Sequence, residues 1–409
     1  MAVPRGHTRL LIYSHDSFGL GHLRRCSTIA HSLVDFRRDL SVLILSGSPI
    51  IGSFDFGPRV DFVRIPGVIK LRDGNYSSRN LHMGIDEIVD MRASMIRHIA
   101  DIFRPDILLV DKEPLGLRGE IHDTLTMLKT RGAKLVLGLR DVMDDPLTLA
   151  EEWDRKNALP ALQDLYDHIW IYGLRDICDP LEGIAIGNQV RRKIRYTGYL
   201  RRAESPLAMP PGMPASIWQT PYLLVTTGGG GDGANLIDWV LRAYEHDPAI
   251  PHPALLVLGP FMQSNLQAQF MQRVERLPQV HAITFNAHLE SLMAQSAGIV
   301  AMGGYNTFCE ILSFDKPSII VPRTVPRLEQ FIRASRAQDK GLVTMLAEDG
   351  DREPRRMAAA LRELPYRPKP SATHIPGLLD GLSTINSVVD RWLSPTGLPT
   401  RLSVVDAPG

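Results

Sequence analysis

Three glycine-rich stretches carry the residues of this chain that could do chemistry. The first runs His15-Asp-Ser-Phe-Gly19-Leu-Gly21-His22-Leu-Arg24-Arg25-Cys26. Glycines let backbone approach a ligand, and the start of the helix that follows favours anions. An imidazole there, with an unperturbed pKa near ~6.5, suits a general base at neutral pH. The second, Thr226-Thr227-Gly228-Gly229-Gly230-Gly231-Asp232-Gly233, has five glycines in six positions. Its row of backbone N–H groups is an anion cradle fit for a diphosphate. The third runs Ala301-Met302-Gly303-Gly304-Tyr305-Asn306-Thr307-Phe308-Cys309-Glu310. Asn306 or Thr307 could cap the helix it opens. Glu310, one turn in, is either an exposed carboxylate able to accept from vicinal ribose hydroxyls or an ordinary first-turn acid.

Neither of the first two is a standard nucleotide fingerprint. Arg24 stands where a dinucleotide loop has its third glycine, and Ser46-Gly47-Ser48 lacks the ribose-binding acid. No Gly-Lys-Ser/Thr follows the second loop, which excludes a Walker motif.

Loops of this kind work only when strands and helices hold them. Short apolar runs alternate with helical patterns along the whole chain. Strands are predicted at Arg9–Tyr13, Ser41–Leu45, Asp61–Ile65, Asp106–Val110, Lys134–Leu137, His168–Ile171 and Ile194–Thr197. Helices are predicted between them at Leu23–Leu33, Ile85–Phe103, Gly119–Lys129 and Leu147–Leu165. Strands of four to six residues, apolar on both faces, read as buried parallel strands with helical crossovers. Ser205–Ala215 then packs four prolines into eleven residues and reads as a linker.

The alternation restarts at Tyr222–Thr226 and runs to a helix at Glu329–Lys340, with a last helix at Leu378–Leu393. The expected fold is α/β, with two doubly wound Rossmann-like domains facing a central cleft. Residues 1–204 are expected to form a first α/β domain, 205–220 a linker, 221–375 a second α/β domain, and 376–409 a C-terminal helix and tail. Open α/β sheets bind ligands at the C-terminal ends of their strands, here on both sides of the cleft.

Composition narrows the function classes. The 409 residues are 44% hydrophobic and 22% charged, with a net charge of +1 from 46 basic and 45 acidic residues. That balance argues against a nucleic-acid partner. Cys26, Cys178 and Cys309 form no metal or disulfide pattern, so a reducing cytoplasm is expected and no metal is. No run reaches the ~18 apolar residues of a membrane span, leaving at most peripheral contact with the inner face of the membrane.

Four further features carry weaker signals. Arg191-Arg-Lys-Ile-Arg195 and Arg201-Arg202 read as a solvated basic flank, or as a contact for an anion. Asp111-Lys112-Glu113 and Arg140-Asp141 follow strands and so face the cleft, where they shape an acceptor pocket or pair with one another. Asp144-Asp145 reads as a turn before Pro146.

The second half resembles the nucleotide-binding domain of MurG-type glycosyltransferases, which move N-acetylglucosamine from a UDP donor. The likeness rests on the strand–glycine–helix loop at 226–233, Phe285-Asn-Ala-His288-Leu-Glu290, Gly303–Glu310, Lys316-Pro-Ser-Ile-Ile-Val-Pro-Arg323 and Glu329-Gln330-Phe-Ile-Arg-Ala. It spans about residues 222–345 and implies a GT-B fold. Glu310 would bind the donor ribose, and Gly228 to Gly233 the diphosphate. Glu329 and Gln330 stand where the family has a Gln-Gln pair on the donor sugar. The Gly-His-x-x-Arg-Cys of the first loop is also similar to nucleotide-sugar hydrolases of pseudaminic-acid synthesis. With Gly138-Leu-Arg140-Asp141 and Gly259-Pro-Phe261, the full pattern resembles a group of bacterial predicted glycosyltransferases.

The resulting expectation is metal-independent, inverting transfer of a sugar from a nucleotide diphosphate donor, UDP by resemblance, to an acceptor hydroxyl. His22 would be the base, with Gly19, Gly21, Arg25, Asp111, Arg140 and Asp141 on the acceptor side. The acceptor would be lipid-linked or a polysaccharide. No cofactor is expected, since the nucleotide sugar is a substrate. A hydrolase using His22 to direct water, or a non-catalytic nucleotide-sugar binder, would keep the same donor site.

Overall fold

The computed structural model describes residues 7–15, 21–53, 56–70, 76–203, 218–286, 288–348 and 350–394. Gly19 and most of the proline-rich linker lie outside them.

The first unit is built on β1 (Thr8–Ser14), β2 (Leu40–Ser46), β3 (Val60–Arg64), β6 (Ile107–Asp111), β7 (Lys134–Arg140), β8 (His168–Tyr172) and β9 (Ile194–Tyr196). These form a sheet of order β3-β2-β1-β6-β7-β8-β9, parallel throughout. Residues such as Leu10, Leu11 and Ile12 are buried in succession, so β1 is apolar on both faces, as a central parallel strand covered by helices must be. The crossovers are α1 (Gly21–Phe36), α2 (Ile85–Phe103), α3 (His122–Thr130), α4 (Pro146–Arg155), α5 (Ala158–Asp164) and the short α6 (Asn188–Arg191). Asp145 caps α4 by accepting from the Thr148 N–H (3.1 Å), with Pro146 at the first helical position.

The second unit has β10 (Leu223–Thr226), β11 (Ala254–Val257), β12 (Val280–Ile283), β13 (Gly298–Ala301), β14 (Ser318–Ile320) and β15 (Thr344–Met345) in the order β12-β11-β10-β13-β14-β15, again all parallel. Its helices are α7 (Ala234–His246), α8 (Ser264–Val274), α9 (Leu289–Gln295), α10 (Tyr305–Ser313), α11 (Glu329–Asp339) and α12 (Pro354–Glu363). The last helix, α13 (Gly381–Leu393), returns to the first unit. There Arg37 of α1 pairs with Asp390 (2.6 Å), and Trp392 stacks on His168 and Trp170 with centroids at 4.4 and 5.8 Å. No helix among the described residues is long and apolar enough to cross a membrane.

The α/β reading holds in both halves, with local differences. The helix expected over 147–165 is two helices, broken where Asn157 adopts a left-handed φ of 50° that Asn tolerates better than most residues. A small antiparallel hairpin, β4 (Val68–Lys70) with β5 (Tyr76–Ser78), was not expected. Strands of three residues give too little alternation to register. Helix α12 was also passed over, although Pro354 at its start and Met357, Leu361 and Leu364 at helical spacing announce it.

Candidate active site

Strand order reverses between β1 and β6 in the first sheet, and a crevice opens at such a point. The loop after β1 delivers His22 in the first turn of α1, and β6 ends at Asp111 beside it. His22 Nδ1 lies 2.5 Å from Asp111 Oδ2, and Arg25 grips the same carboxylate through Nε (2.8 Å) and Nη2 (2.6 Å). Arg25 and His22 are both donors here, so Asp111 is the acceptor they share and Nδ1 carries the imidazole proton. Nε2 is left with its lone pair and no partner among the described residues.

Burial pushes the His22 pKa down and the Asp111 charge pushes it up; burial wins, and the net is about 4. Burial raises the Asp111 pKa too, but Arg25 and His22 outweigh it and hold the carboxyl well below the usual range. A neutral imidazole oriented by an ionised carboxylate is the arrangement of a general base.

The second sheet reverses between β10 and β13, and both remaining glycine loops leave from these strands. In the cradle after β10, the Gly228 N–H reaches Thr226 Oγ1 (3.3 Å) and the Gly233 N–H reaches the Gly230 carbonyl (3.4 Å). The N–H groups of Gly229, Gly230, Gly231 and Asp232 have no acceptor among the described residues, so these four are available to a ligand. Gly230 has φ 87°, and a Cβ on it would stand 2.4 Å from the Leu258 carbonyl oxygen. Only glycine fits there. Asp232 is not free, since Arg323 pairs with it at 2.8 Å.

After β13, Gly304 occupies the cap position of α10 with no side-chain capping bond, so neither Asn306 nor Thr307 caps the helix. Thr307 is buried within the first turn. Asn306 instead joins the two units: its Nδ2 donates to the Gly21 carbonyl (3.0 Å), and its Oδ1 accepts from Arg202 Nη2 (2.8 Å). Arg202 also reaches Thr28, so this member of the basic flank is buried between the units rather than solvated.

Glu310 is fully buried rather than exposed. Arg24 of α1 approaches its Oε1 at 2.7 Å and also contacts Glu290. Neither Glu310 oxygen makes a well-directed hydrogen bond. Burial raises its pKa, Arg24 offsets part of that, and Glu290 adds to it. This carboxylate is therefore short of hydrogen-bond donors. Arg24 was missed from sequence because only the docking of the two units brings it there.

Arg140 and Asp141 do not pair with one another, as one sequence reading had it. Each reaches the second unit. Arg140 meets Glu329 (2.6 Å), which also meets Arg323 (3.1 Å). Burial pushes the Glu329 carboxyl up, but Arg140, Arg333 and Arg323 hold it at about 2. Gln330 Oε1 accepts from the Arg323 N–H (3.1 Å). Asp141 and Arg333 form a buried pair at 2.7 Å, extended by the Tyr199 hydroxyl donating to Asp141 (3.0 Å) and Arg333 donating to the Gly303 carbonyl (2.9 Å). Tyr305 lies beneath both Arg25 and Arg333, 5.5 and 5.7 Å from its ring centre. Asp144 faces the cleft as well, accepting from the Leu328 N–H (3.0 Å).

Residues 223–374 match the model of the glycosyltransferase family 28 C-terminal domain. No curated protein matches in sequence. In three dimensions the chain is similar to MurG of Acinetobacter baumannii, with TM-score 0.57 and 9% identity over 94% of this chain and 99% of that one. It is similar to a UDP-glucosyltransferase from Polygonum tinctorium capable of glucosylating indoxyl, with TM-score 0.63 and 12% identity over 96% and 100%. UDP-GlcNAc 2-epimerase from Neisseria meningitidis, bound to UDP-GlcNAc, aligns with TM-score 0.57 and 12% identity over 94% and 100%. At these identities the likeness establishes the GT-B fold alone. The fold carries an epimerase as readily as a transferase, so the pointer to transfer is the family 28 match.

Proposed function

We propose that this chain, which has the GT-B fold and whose second half matches the glycosyltransferase family 28 C-terminal domain, is a glycosyltransferase that moves a sugar from a UDP-type donor to an acceptor hydroxyl, with inversion and without a metal. The observation that carries this reading is the His22–Asp111 pair at the reversal point of the first sheet, together with the N–H cradle at the reversal point of the second. His22 Nε2 takes the proton of the acceptor hydroxyl as its oxygen attacks the anomeric carbon. The bond from that carbon to the diphosphate oxygen breaks on the opposite face, and the electron pair leaves with the nucleoside diphosphate. The charge of the leaving group falls on the N–H groups of Gly229 to Asp232 and on the positive end of α7.

Glu310 accepts from the ribose hydroxyls, which supply the directed donors its carboxylate lacks and take the place of Arg24. Glu329, fixed by Arg140 and Arg323, and Gln330 stand at the donor sugar.

Mass-spectrometric screening of nucleotide sugars with purified protein, with and without a cell extract as acceptor source, tests the assignment. The expected result is slow donor loss alone and fast loss with extract, yielding a glycosylated product. Fast release of free sugar without extract identifies a hydrolase instead, and donor binding without turnover under either condition identifies a binder. Glu310→Ala should weaken UDP binding about 10- to 100-fold by calorimetry, the loss of a charged acceptor from a hydrogen-bonded pair. Unchanged affinity removes Glu310 from the donor site.

A further inference from the structure

A pocket of about 370 Å³ opens in the first unit beside the base. Part of its wall is apolar: Pro114, Leu115 and Leu117 from the stretch after β6, and Ala158 from the start of α5. Tyr76 of the unexpected β4–β5 hairpin closes another side. At one end lies His15, whose ring is 6.0 Å from that of His22 and set edge-on to it. No described side chain hydrogen-bonds to the His15 ring, so it offers polar contact to whatever enters. His22, the group that would take a proton, does not itself line the pocket and stands one ring beyond His15.

Its charges are unequal. Glu113 is the one carboxylate among the described lining residues, and it is already held by Lys156 (2.7 Å) and Lys112 (3.4 Å). Against it stand Arg118, Arg155 and Lys156. Lys156 is spent on Glu113 and Glu152 (2.5 Å). Arg118 meets only the exposed Asp86 (2.9 Å), a pair of little strength in water. Arg155 has no carboxylate within ion-pair distance among the described residues and makes only a 3.4 Å bond to the Glu151 carbonyl of its own helix. Two guanidinium groups therefore stand among the lining residues of a partly apolar pocket without a strong partner.

Resting on the transferase reading, we propose that this pocket is the acceptor site and takes a small organic anion bearing a hydroxyl. The hydroxyl points inward to His15, on the side where His22 stands, an apolar body lies against Leu115, Leu117 and Tyr76, and a carboxylate or phosphate meets Arg155 and Arg118. Guanidinium groups without a strong partner at a pocket edge select anions and steer them in. The volume is that of a small-molecule site. A polysaccharide or a lipid chain would lie mostly outside it.

Calorimetry on the full-length protein without donor tests this with three probes: 4-hydroxybenzoate, 4-hydroxyphenyl phosphate and the neutral methyl 4-hydroxybenzoate. At least one anion is expected to bind about tenfold or more tighter than the ester, and the better anion tells carboxylate from phosphate. Arg155→Glu and Arg118→Glu, both surface changes, should each cut anion binding about tenfold and leave the ester unaffected. Equal affinity for the ester, no effect of either variant, or no binding of any probe up to about 10 mM overturns the proposal. Anion binding should persist in Glu310→Ala while UDP binding falls. Loss of the donor reading and loss of the acceptor pocket are thereby separate results.

Discussion

His22→Ala is expected to lower transfer by about 10²–10⁴-fold with donor affinity nearly unchanged, because the role proposed for the imidazole is proton transfer and not donor binding. Initial rates at saturating donor, with UDP affinity measured alongside, check both halves. The pH profile is the sharper measurement. A base works while unprotonated, and His22 protonates at about 4, not 6.5. The acid limb of kcat/KM should therefore lie near pH 4, with the rate flat through 6.5.

Asp111→Asn removes the charge that raises the His22 pKa, so the limb moves lower still. It also removes the acceptor that fixes the proton on Nδ1, so kcat falls by a large part of the His22→Ala effect. A limb near 6.5 in the wild type would mean that His22 is solvated and that the buried pair does not exist in solution. The same shift costs stability in acid. Below 6.5 the unfolded chain takes up a proton that the folded one refuses until about 4, so stability falls as pH drops through that window.

Asp141→Leu or Arg333→Met is expected to destabilise the protein by about 3–5 kcal/mol, the cost of leaving one charge buried and unpaired. Asp141 is 0% and Arg333 1% exposed, so neither stranded charge can reach water without parting the units. The double variant Asp141→Leu/Arg333→Met should recover most of the loss, since replacing both charges by apolar groups removes the penalty. Denaturant unfolding of the two single variants and the double one decides. A double variant as unstable as the singles would show that the pair is not the source. Because Arg333 also donates to the Gly303 carbonyl, the single variants should also weaken UDP binding, by loosening the loop before α10.

The acid window and the cost of a broken pair share a cause, charge kept from water: within the first unit at His22, and between the units at Asp141 and Arg333. The loops were readable from sequence because each is a local event. A buried strand, a run of glycines and a helix start follow one another within about fifteen residues, as in Thr226 to Ala234. The small hairpin was not readable, because its strands take their meaning from contact with one another. Glu310 shows the limit clearly. Its place one turn into a helix was visible, but its complete burial and its contact with Arg24 depend on α1 from the other unit.

By itself, then, the sequence determined two α/β units and the strand-to-helix junctions at which His22, the glycine cradle and Glu310 stand, since residues near in sequence decide those junctions. Tertiary structure alone decided which charges meet. Asp141 and Arg333 are 192 residues apart and bond side by side, and Arg140 meets Glu329 instead of its neighbour. Pairing across a cleft depends on how two independently built sheets dock. Spacing along the chain carries no record of that docking, because the energy that selects each partner comes from burying both charges together.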